Sequence, residues 1–255
     1  MLNIKNYQRP GTLEEAWDLM QKSGAKLAAG MMWTRLSGGD IEELIDLQDL
    51  GLRYIREDEN CFMIGSMSTL RDLETNDSFS SYTCGAAEES LRHIVGVQFR
   101  NLATVGGSIC GKYGFSDVIT LLLPLKATLR FYKSGEMLLS DFLSAKPFKD
   151  ILIEIRIVKE NIKARYCSIR KNFTDFPIIN FSMVQAGDDI IRVACGSRPA
   201  RAELKEFSIA NKAPEALAEE IASAYQTGSN ARSSAEYRTH LVKVFAERSL
   251  RSLEE

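Results

Sequence analysis

The stretch TVGGSICGKYGFSD, residues 104–117, constrains the fold most, because it places four glycines between two apolar segments. Glycine has no Cβ, so Gly106 and Gly107 are expected to turn the backbone through positive φ and to bring amide N–H groups close to a ligand. Ser116 or Asp117 can cap a following apolar helix whose first amides attract an anion such as a phosphate. The spacing matches neither GxGxxG nor a P-loop, and a plain tight turn remains the alternative.

The balance of charged and apolar residues excludes several classes of protein. Lys and Arg (32) are interspersed with Asp and Glu (34), so the chain lacks the basic cluster that nucleic acid requires. No apolar run reaches the roughly 20 residues that span a bilayer, and the first residues resemble no signal peptide. We therefore expect a cytoplasmic protein that binds no nucleic acid and has no membrane span.

The cysteines and histidines predict no catalytic or metal centre. The five cysteines are widely spaced and odd in number, and none forms a CxxC pair, which argues against a disulfide framework, a zinc site or an iron–sulfur cluster. His93 and His240 stand in no motif of nucleophilic catalysis and are predicted to be structural. The chain is therefore expected to bind a phosphate-bearing cofactor and to leave the chemistry to it.

The N-terminal residues predict a small α/β unit over 1–55. A strand at 3–8 is followed by a helix that opens on the capping box TLEE, and then by strands near 26–29 and 43–50. Gly30 follows the inner strand, at a sheet end where ligands tend to bind. The MMW that follows it either packs in the core or faces the ligand.

Two further units follow along the chain. Residues 56–160 predict an α/β subdomain with a mixed sheet, whose last strand, DILIEIRIV, alternates isoleucines with other residues as a half-buried strand does. Residues 163–255 predict an antiparallel sheet and three closing helices. Its three strands are expected near 164–170, 177–186 and 190–195, and its helices near 201–210, 214–226 and 234–251.

Several short motifs occur in an order that one family shows. QFRN at 98–101, TVGGSI at 104–109 and Asp117 look like the Q-x-R-N, T-[IV]-G-G-N-[IL] and downstream Asp of that family. RPAR at 198–201 and YRTHL at 237–241 look like its closing motifs. Over essentially its whole length the chain resembles the flavin-binding, or medium, subunit of molybdenum hydroxylases, the family of xanthine dehydrogenase and carbon monoxide dehydrogenase.

The resemblance implies an α+β fold and a flavin site. The fold would comprise two α/β FAD-binding subdomains of the vanillyl-alcohol-oxidase (PCMH-like) type, at 1–55 and 56–160, and a C-terminal flavoprotein domain at 163–255 with a three-stranded antiparallel sheet plus helices. FAD would lie between the first two subdomains. Its contacts would be Leu27, Ala28, Ala29, Gly30, Met31, Met32, Trp33 and Thr34 in a first loop (residues 27–34), Thr104, Val105, Gly106, Gly107 and Ser108 in a second loop (residues 104–108), Asp117 at the adenosine end, Ile94 at the flavin ring, and Ile153 and Cys167.

Two positions depart from the pattern of the family. Met31 stands where relatives have the second glycine of the first loop, and Ser108 replaces a common Asn. A side chain in the first loop would crowd a pyrophosphate or require a different backbone angle. We therefore expect the second loop to dominate flavin anchoring, with Gly107 as its least replaceable residue.

The resemblance also implies a function. In this family FAD accepts electrons from a [2Fe–2S] partner and passes them to NAD⁺ or another acceptor. This chain has no cysteine run of the ferredoxin type and no molybdopterin domain, so an iron–sulfur subunit and a molybdopterin-binding subunit would supply those groups. The expected function is that of the FAD-binding electron-transfer subunit of a xanthine dehydrogenase-like oxidoreductase acting on a purine or similar N-heterocycle, with no catalytic acid or base of its own.

Two alternatives stay open at the level of the sequence. One is a self-sufficient FAD oxidoreductase related by fold to UDP-N-acetylenolpyruvoylglucosamine reductase, in which substrate would reduce the flavin of the isolated chain. The other is a degenerate scaffold subunit that binds flavin weakly, which the altered first loop makes a real possibility.

Overall fold

A computed structural model describes residues 2–187 and 189–254 of the chain. The first sheet is parallel, with the strand order β1-β3-β2. Its elements are β1 (Leu2–Gln8), α1 (Leu13–Gln21), β2 (Ala25–Ala28) and β3 (Gly39–Asp46). Thr12 caps α1 by accepting the Glu15 amide, as the capping box predicts. The helix buries Ala16 and Met20 in a small core that Ile151 joins from later in the chain.

The third strand of this sheet lies earlier than the sequence pattern predicts. The pattern placed it at 43–50, whereas β3 ends at Asp46 and Gln48–Leu50 is a 3₁₀ turn. The shift follows from pairing, because β3 runs in register with β1 from Leu2 opposite Gly39. The strand predicted at 26–29 is present as β2, but it is an edge strand because β3 lies between β1 and β2, so the prediction of an inner strand is wrong. The rest of the first loop follows its end directly.

The second sheet is five-stranded, with the order β4-β5-β8-β6-β7. Its strands are β4 (Ile55–Glu57), β5 (Cys61–Gly65), β6 (Thr128–Phe131), β7 (Gly135–Leu138) and β8 (Leu152–Val158). Its helices are α2 (Leu70–Glu74), α3 (Asp77–Tyr82), α4 (Ala86–Leu91), α5 (Val97–Arg100), α6 (Val105–Cys110), α7 (Asp117–Leu122) and α8 (Leu139–Ser144). Every pair in this sheet is antiparallel, so the predicted mixed sheet is wrong. The reason is topological: β8 inserts between β5 and β6 and runs against both.

The alternation in β8 predicted a half-buried strand, and the face that was expected to be exposed is buried at Leu152 and Glu154 and open at Val158. Glu154 is only 4% exposed. It accepts a hydrogen bond of 2.7 Å from the Tyr54 hydroxyl, and Arg156 lies 3.3 Å from it. A buried carboxylate requires such partners.

The third sheet is antiparallel and four-stranded, with the order β12-β11-β10-β9. Its elements are β9 (Ile162–Arg170), β10 (Pro177–Ala186), β11 (Ile190–Gly196) and β12 (Glu203–Ser208), followed by α9 (Pro214–Ala224) and α10 (Ala235–Glu254). The three predicted strands are present. The helix predicted near 201–210 is wrong, because ELKEFS pairs with β11 as a fourth strand, and this pairing overrides the helix propensity of Glu, Leu and Lys.

The four-stranded sheet packs on both of its faces. One face, with Tyr166 and Val184, joins the large core built by the second sheet and its helices. The other face, with Phe181 and Val193, packs against α9 and α10. The predicted α+β fold class is confirmed, with four strands in the last sheet where three were expected. The domain boundaries placed at 1–55, 56–160 and 163–255 stay predictions.

Candidate functional site

A cleft of about 400 Å³ lies where the three parts of the chain meet. Its volume is in the range of cofactor sites. It brings together most of the residues predicted to bind flavin, although they are far apart in the sequence. The predicted residues that line it are Leu27, Ala29, Gly30, Met31, Met32, Trp33, Thr34, Ile94, Thr104, Gly107, Ser108 and Asp117.

Five predicted residues do not line the cleft: Ala28, Val105, Gly106, Ile153 and Cys167. Ala28 and Val105 are core residues, 3% and 0% exposed. Cys167 packs with the cluster under α10, and its Sγ lies 4.0 Å from Ser249 Oγ. Neighbouring side chains of a strand point to opposite faces, so Cys167 lies on the other face of β9 from Tyr166.

Gly106 and Ile153 lie behind the cleft, on either side of Ser66. The Ser66 amide donates to Ile153 O at 2.9 Å, and the Gly106 amide donates to Ser66 O at 2.9 Å. A Cβ on Gly106 would lie 2.7 Å from that same Ser66 oxygen. Gly106 therefore serves close packing of α6 on the chain after β5.

The first loop presents unused backbone donors to the cleft. Within the described part of the chain, none of the amide N–H groups of residues 30–34 has an acceptor. Met31 has a φ of 57°, in the left-handed region that glycine adopts more readily. Backbone amides beside a left-handed residue can form a concave array of the kind that binds anions.

Gly30 joins the two loops. A Cβ at this position would lie 1.9 Å from Leu102 O and 3.0 Å from the Cα of Ala103. Real Cβ atoms do not approach backbone so closely, so only glycine allows the first loop to lie against the residues that precede Thr104.

The second loop does not have the backbone geometry that the sequence predicted. Gly106 and Gly107 lie inside α6, and neither has a positive φ. The prediction of a positive-φ turn at this pair is therefore wrong. Thr104 caps the helix with its hydroxyl, and TVGGSI is a helix start.

Four of the five amides of the second loop, those of residues 105–108, are already occupied, and the Thr104 amide has no acceptor among the described residues. Residues 105 and 106 donate to the carbonyls of Ser68 and Ser66, both at 2.9 Å. The Gly107 amide donates to Thr104 Oγ1 at 3.1 Å, and the Ser108 amide donates to Thr104 O at 3.0 Å. The Ser108 hydroxyl donates to Thr104 O at 3.0 Å, so the second loop offers a ligand the Thr104 hydroxyl, the Thr104 amide and its shape, whereas the first loop offers a run of free amides.

The absence of a side chain at Gly107 leaves space in the cleft for a ligand. It lines the cleft, and a Cβ there would meet only the Thr104 hydroxyl, at 3.0 Å. A side chain at this position would therefore take room from a ligand, with little clash against the protein itself.

Asp117 is the centre of a buried polar network at one wall. It is 5% exposed, and its Oδ1 accepts hydrogen bonds from Tyr166 (2.5 Å), Arg170 (2.7 Å) and Asn180 (3.2 Å). Burial, together with the neighbouring Asp117, raises the pKa of Tyr166, which keeps its hydroxyl a donor. No donor from the described residues reaches Oδ2, so this oxygen can accept a hydrogen bond from a ligand.

Among the described residues that line the cleft, no cation is free of an anionic partner. Its lining includes Asp117, Asp175 and one arginine, Arg170, which donates to both Asp117 and the Asp175 carbonyl. Burial and the neighbouring Arg92 lower the pKa of His93 below its ordinary value of 6.5, so this imidazole is neutral at pH 7. An anionic ligand in this cleft would therefore rely on backbone amides.

An aromatic cluster closes one end of the cleft. Trp33 stacks on Phe176 with ring centres 5.7 Å apart, and Tyr113 stacks on Phe115 at 5.2 Å. Phe115 and Phe176 are 4.3 Å apart. Sequence reasoning missed Tyr113, Phe115 and Phe176, although the aromatic pair inside the glycine-rich stretch was a usable signal.

The arginine of the QFRN motif holds the chain around Ile94. Arg100 forms a buried, two-pronged ion pair with Glu74, at 2.7 and 3.0 Å. Its remaining nitrogen donates to Ile94 O at 3.1 Å. Val95 next to it has a φ of 52°, which is rare for a β-branched residue. Through Arg100, this motif therefore fixes the position of the cleft wall at Ile94.

The described residues form neither a metal-binding cluster nor a membrane-spanning helix. No group of three or more His, Cys, Asp or Glu side chains is placed to hold a metal ion. None of the helices in residues 2–187 and 189–254 is both long and apolar enough to cross a membrane.

Comparisons with known proteins point to one family. Residues 2–159 match the family described as FAD binding domain in molybdopterin dehydrogenase. The chain is 26% identical over 254 residues to the uncharacterized protein YgfM of Escherichia coli K12, covering 94% of this chain and 93% of that protein. It is 25% identical over 268 residues to the glyceraldehyde dehydrogenase medium chain of Sulfolobus acidocaldarius, covering 94% of each.

Two further similarities are a sequence match over part of the chain and a match of the fold at low sequence identity. The nicotinate dehydrogenase FAD-subunit of Eubacterium barkeri is 30% identical over 110 residues, 42% of this chain and 37% of that one. The fold matches a chain of quinoline 2-oxidoreductase from Pseudomonas putida 86 with a TM-score of 0.85 at 18% identity, covering 97% of this chain and 95% of that one.

Proposed function

Since the chain belongs to the family of FAD-binding domains of molybdopterin dehydrogenases, it is the flavin subunit of an oxidoreductase, and we propose that its cleft holds FAD between the two loops. The observation that carries this proposal is the run of unpartnered amides at residues 30–34. A pyrophosphate carries two negative charges, and the described lining of the cleft supplies no free cation to neutralise them. Backbone N–H groups arranged around a left-handed residue suit this ligand, because they are already ordered.

The second loop contributes the surface on which the pyrophosphate lies. Gly107 leaves room for close approach, and the hydroxyls of Thr104 and Ser108 lie at the same wall. Asp117 Oδ2 accepts from a hydroxyl at the adenosine end, and Ile94 lies at the flavin ring. Five of the predicted contact residues would support this surface from outside the cleft, because they do not line it: Ala28, Val105, Gly106, Ile153 and Cys167.

When bound, FAD supplies one- and two-electron transfer that no side chain provides. The chain itself binds and orients the cofactor, and Tyr166, Arg170 and Asn180 hold Asp117 in place for it. The lining offers no carboxylate free of partners on both oxygens and no charged imidazole. We therefore assign no catalytic acid or base to this chain.

The partners of the flavin subunit are also part of the proposal. An iron–sulfur subunit and a molybdopterin-binding subunit would complete the enzyme, and the proposed acceptor is NAD⁺ or another electron acceptor. Two relatives, a "medium chain" and an "FAD-subunit", are by name parts of larger enzymes, which supports this assembly. The five cysteines of this chain are all free, which fits a reducing compartment such as the cytoplasm.

For the complex we propose a purine or similar N-heterocycle as substrate. The nicotinate dehydrogenase relative supports an N-heterocycle, whereas the glyceraldehyde dehydrogenase relative favours an aldehyde as the second candidate. The substrate would be chosen on the molybdopterin-binding subunit, so an assay of the co-purified complex with xanthine and with glyceraldehyde decides between them.

Reconstitution of the purified chain tests the flavin assignment. We expect the chain to take up FAD in a one-to-one ratio, read from flavin and protein absorbance, and to take up FMN far more weakly because FMN lacks the pyrophosphate and adenosine. Equal uptake of both would contradict the proposed contacts. Negligible uptake of FAD would favour the degenerate scaffold.

The isolated flavin subunit should not oxidise xanthine. The described residues hold no metal-binding cluster, and the family places the substrate chemistry on molybdopterin. Mixing xanthine anaerobically with the FAD-loaded chain should leave the flavin absorbance unchanged. Bleaching of the flavin without any partner would instead support the self-sufficient oxidoreductase.

A further inference from the structure

A second cavity of about 350 Å³ lies beside the flavin cleft. The two share Phe115 and Phe176, whose rings form the partition between them. Unlike the cleft, the second cavity is lined by three arginines, Arg201, Arg232 and Arg238, and no acidic residue of the described parts of the chain lines it. An excess of guanidinium groups in a concave site favours an anionic ligand.

The three arginines differ in how far they are already used. Arg238 is 1% exposed, and all three of its nitrogens donate to oxygens of the chain, including Ile178 O at 2.9 Å and Asn230 Oδ1 at 2.7 Å. Arg238 is therefore a structural part of the cavity wall. Its hydrogen bonds join the start of β10 to the start of α10, and few of its N–H donors remain for a ligand.

Arg201 and Arg232 keep free donors. Arg201 donates only from Nη1, to Leu143 O at 2.6 Å, and no carboxylate of the described chain pairs with it. Arg232 pairs through Nη1 with Asp175 Oδ1 at 2.8 Å and lies over the Phe176 ring at 5.1 Å. Arg232 thus has one carboxylate partner and Arg201 has none, and Nε and Nη2 of both have no partner among the described residues.

Ser197 adds an independent sign of a ligand. It is 8% exposed, it lines the second cavity, and its hydroxyl is buried without any hydrogen-bond partner. Its φ of 57° is held by a hydrogen bond of 2.7 Å from its amide to Gly114 O. A buried unpaired hydroxyl and a left-handed non-glycine residue both cost stability, and such costs cluster at ligand sites.

We propose that this cavity binds the phosphate group of a small phosphate ester. The free nitrogens of Arg201 and Arg232 donate to the phosphate oxygens, and the Ser197 hydroxyl donates a third hydrogen bond. The planar fork of N–H donors on a guanidinium group can bind two oxygens of a phosphate at once. The cavity is larger than a bare phosphate, so the rest of the ester lies against Pro177 and Pro199. The site is separate from the flavin cleft and stands whether or not FAD binds there.

Calorimetric titration of the full chain with inorganic phosphate tests the site. The chain is first saturated with FAD, so that phosphate cannot bind at residues 30–34. We expect phosphate to bind, and Arg201→Gln to weaken it about tenfold or more, because hydrogen bonds to charged groups are the strong ones. Ser197→Ala should weaken it several-fold.

The matched control is Arg56→Gln, which removes the same charge elsewhere. Arg56 lies over the Tyr54 ring at 4.5 Å, on β4. Phosphate affinity in this variant should equal that of the unchanged chain. Melting temperatures identify any variant that fails to fold. If Arg201→Gln fails to fold, the phosphate affinity of Ser197→Ala tests the proposal instead.

Two results would overturn the proposal. One is equal phosphate affinity in the unchanged chain and in Arg201→Gln, or no phosphate binding at all. The other is acetate binding as tightly as phosphate at equal ionic strength, which would mark a site for a protein carboxylate. If the chain takes up no FAD, the same titrations on the flavin-free chain still compare Arg201→Gln with Arg56→Gln, so the two proposals fail separately.

Discussion

The first and second loops meet at one cleft but have opposite backbone properties. The first loop, which departs from the family pattern at Met31, keeps the amides of residues 30–34 free of protein acceptors. The second loop, which keeps the Gly-Gly pair, has its amides of residues 105–108 bonded to the carbonyls and the hydroxyl around it, and only its Thr104 amide lacks an acceptor among the described residues. A glycine motif therefore does not by itself identify the loop that binds an anion, since the hydrogen bonds of each amide decide that.

The comparison also separates the roles of three glycines. Gly30 and Gly106 are glycine because backbone of another segment lies where a Cβ would be. Gly107 is glycine because it faces the cleft. Met31 shows the converse, since it takes a positive φ at a cost of roughly 1 kcal/mol, and its side chain packs on the core formed by Ala28, Ile41 and Leu44.

The largest expected effect is at the contact that joins the loops. Gly30→Ala places a Cβ against Leu102 O, so the loops must move apart. We expect a loss of about 3 kcal/mol in the free energy of unfolding, measured with urea, and loss of most bound flavin. Gly11→Ala is the control, because nothing lies within 4 Å of a Cβ there. Equal stability of the two variants would show that the loops do not depend on this contact.

The second largest effect should be a loss of flavin affinity without a loss of stability. Gly107→Ala adds a methyl group on the cleft side of α6, and alanine favours a helix over glycine by about 1 kcal/mol. We expect a melting temperature that is unchanged or higher, with flavin affinity lowered about tenfold. Measuring the flavin-to-protein absorbance ratio beside the melting temperature separates the two. A folded variant with full flavin would remove Gly107 from the site.

Removing the helix cap tests the occupied amides of the second loop. Thr104→Val deletes the oxygen that accepts the Gly107 amide, which should cost about 1 kcal/mol of stability. Thr104→Ser keeps the oxygen and should keep the stability. Since the cap serves α6, the flavin content of the valine variant should fall little. A selective loss of flavin would mean that the Thr104 hydroxyl itself binds the cofactor.

The smallest effect is expected at Met31. Met31→Gly removes the strain of the positive φ but adds freedom to the unfolded chain, so stability should change by less than about 1 kcal/mol. The amides keep their geometry, and flavin affinity should be unchanged or higher. Competition of the two proteins for limiting FAD measures the difference. A clear loss of affinity would show that the methionine side chain contacts the cofactor.

Local features of this chain could be predicted from its sequence, and non-local ones could not. The cap of α1 at Thr12 and the order of motifs depend on residues close together in the chain. β12 was predicted as a helix, because its pairing with β11 is a tertiary contact. The amides of α6 were predicted to be free, because their acceptors, Ser66 and Ser68, lie about forty residues earlier. The aromatic end of the cleft likewise needs Phe176 from another sheet.

Hydrogen exchange followed by mass spectrometry, with and without FAD, tests the central claim most directly. Without FAD the amides of residues 30–34 have no acceptor and should exchange fast, whereas those of 105–108 are bonded and should exchange slowly. Adding FAD should protect residues 30–34 strongly and change 105–108 little. Protection that rises at 105–108 and not at 30–34 would contradict the assignment of the pyrophosphate to the first loop.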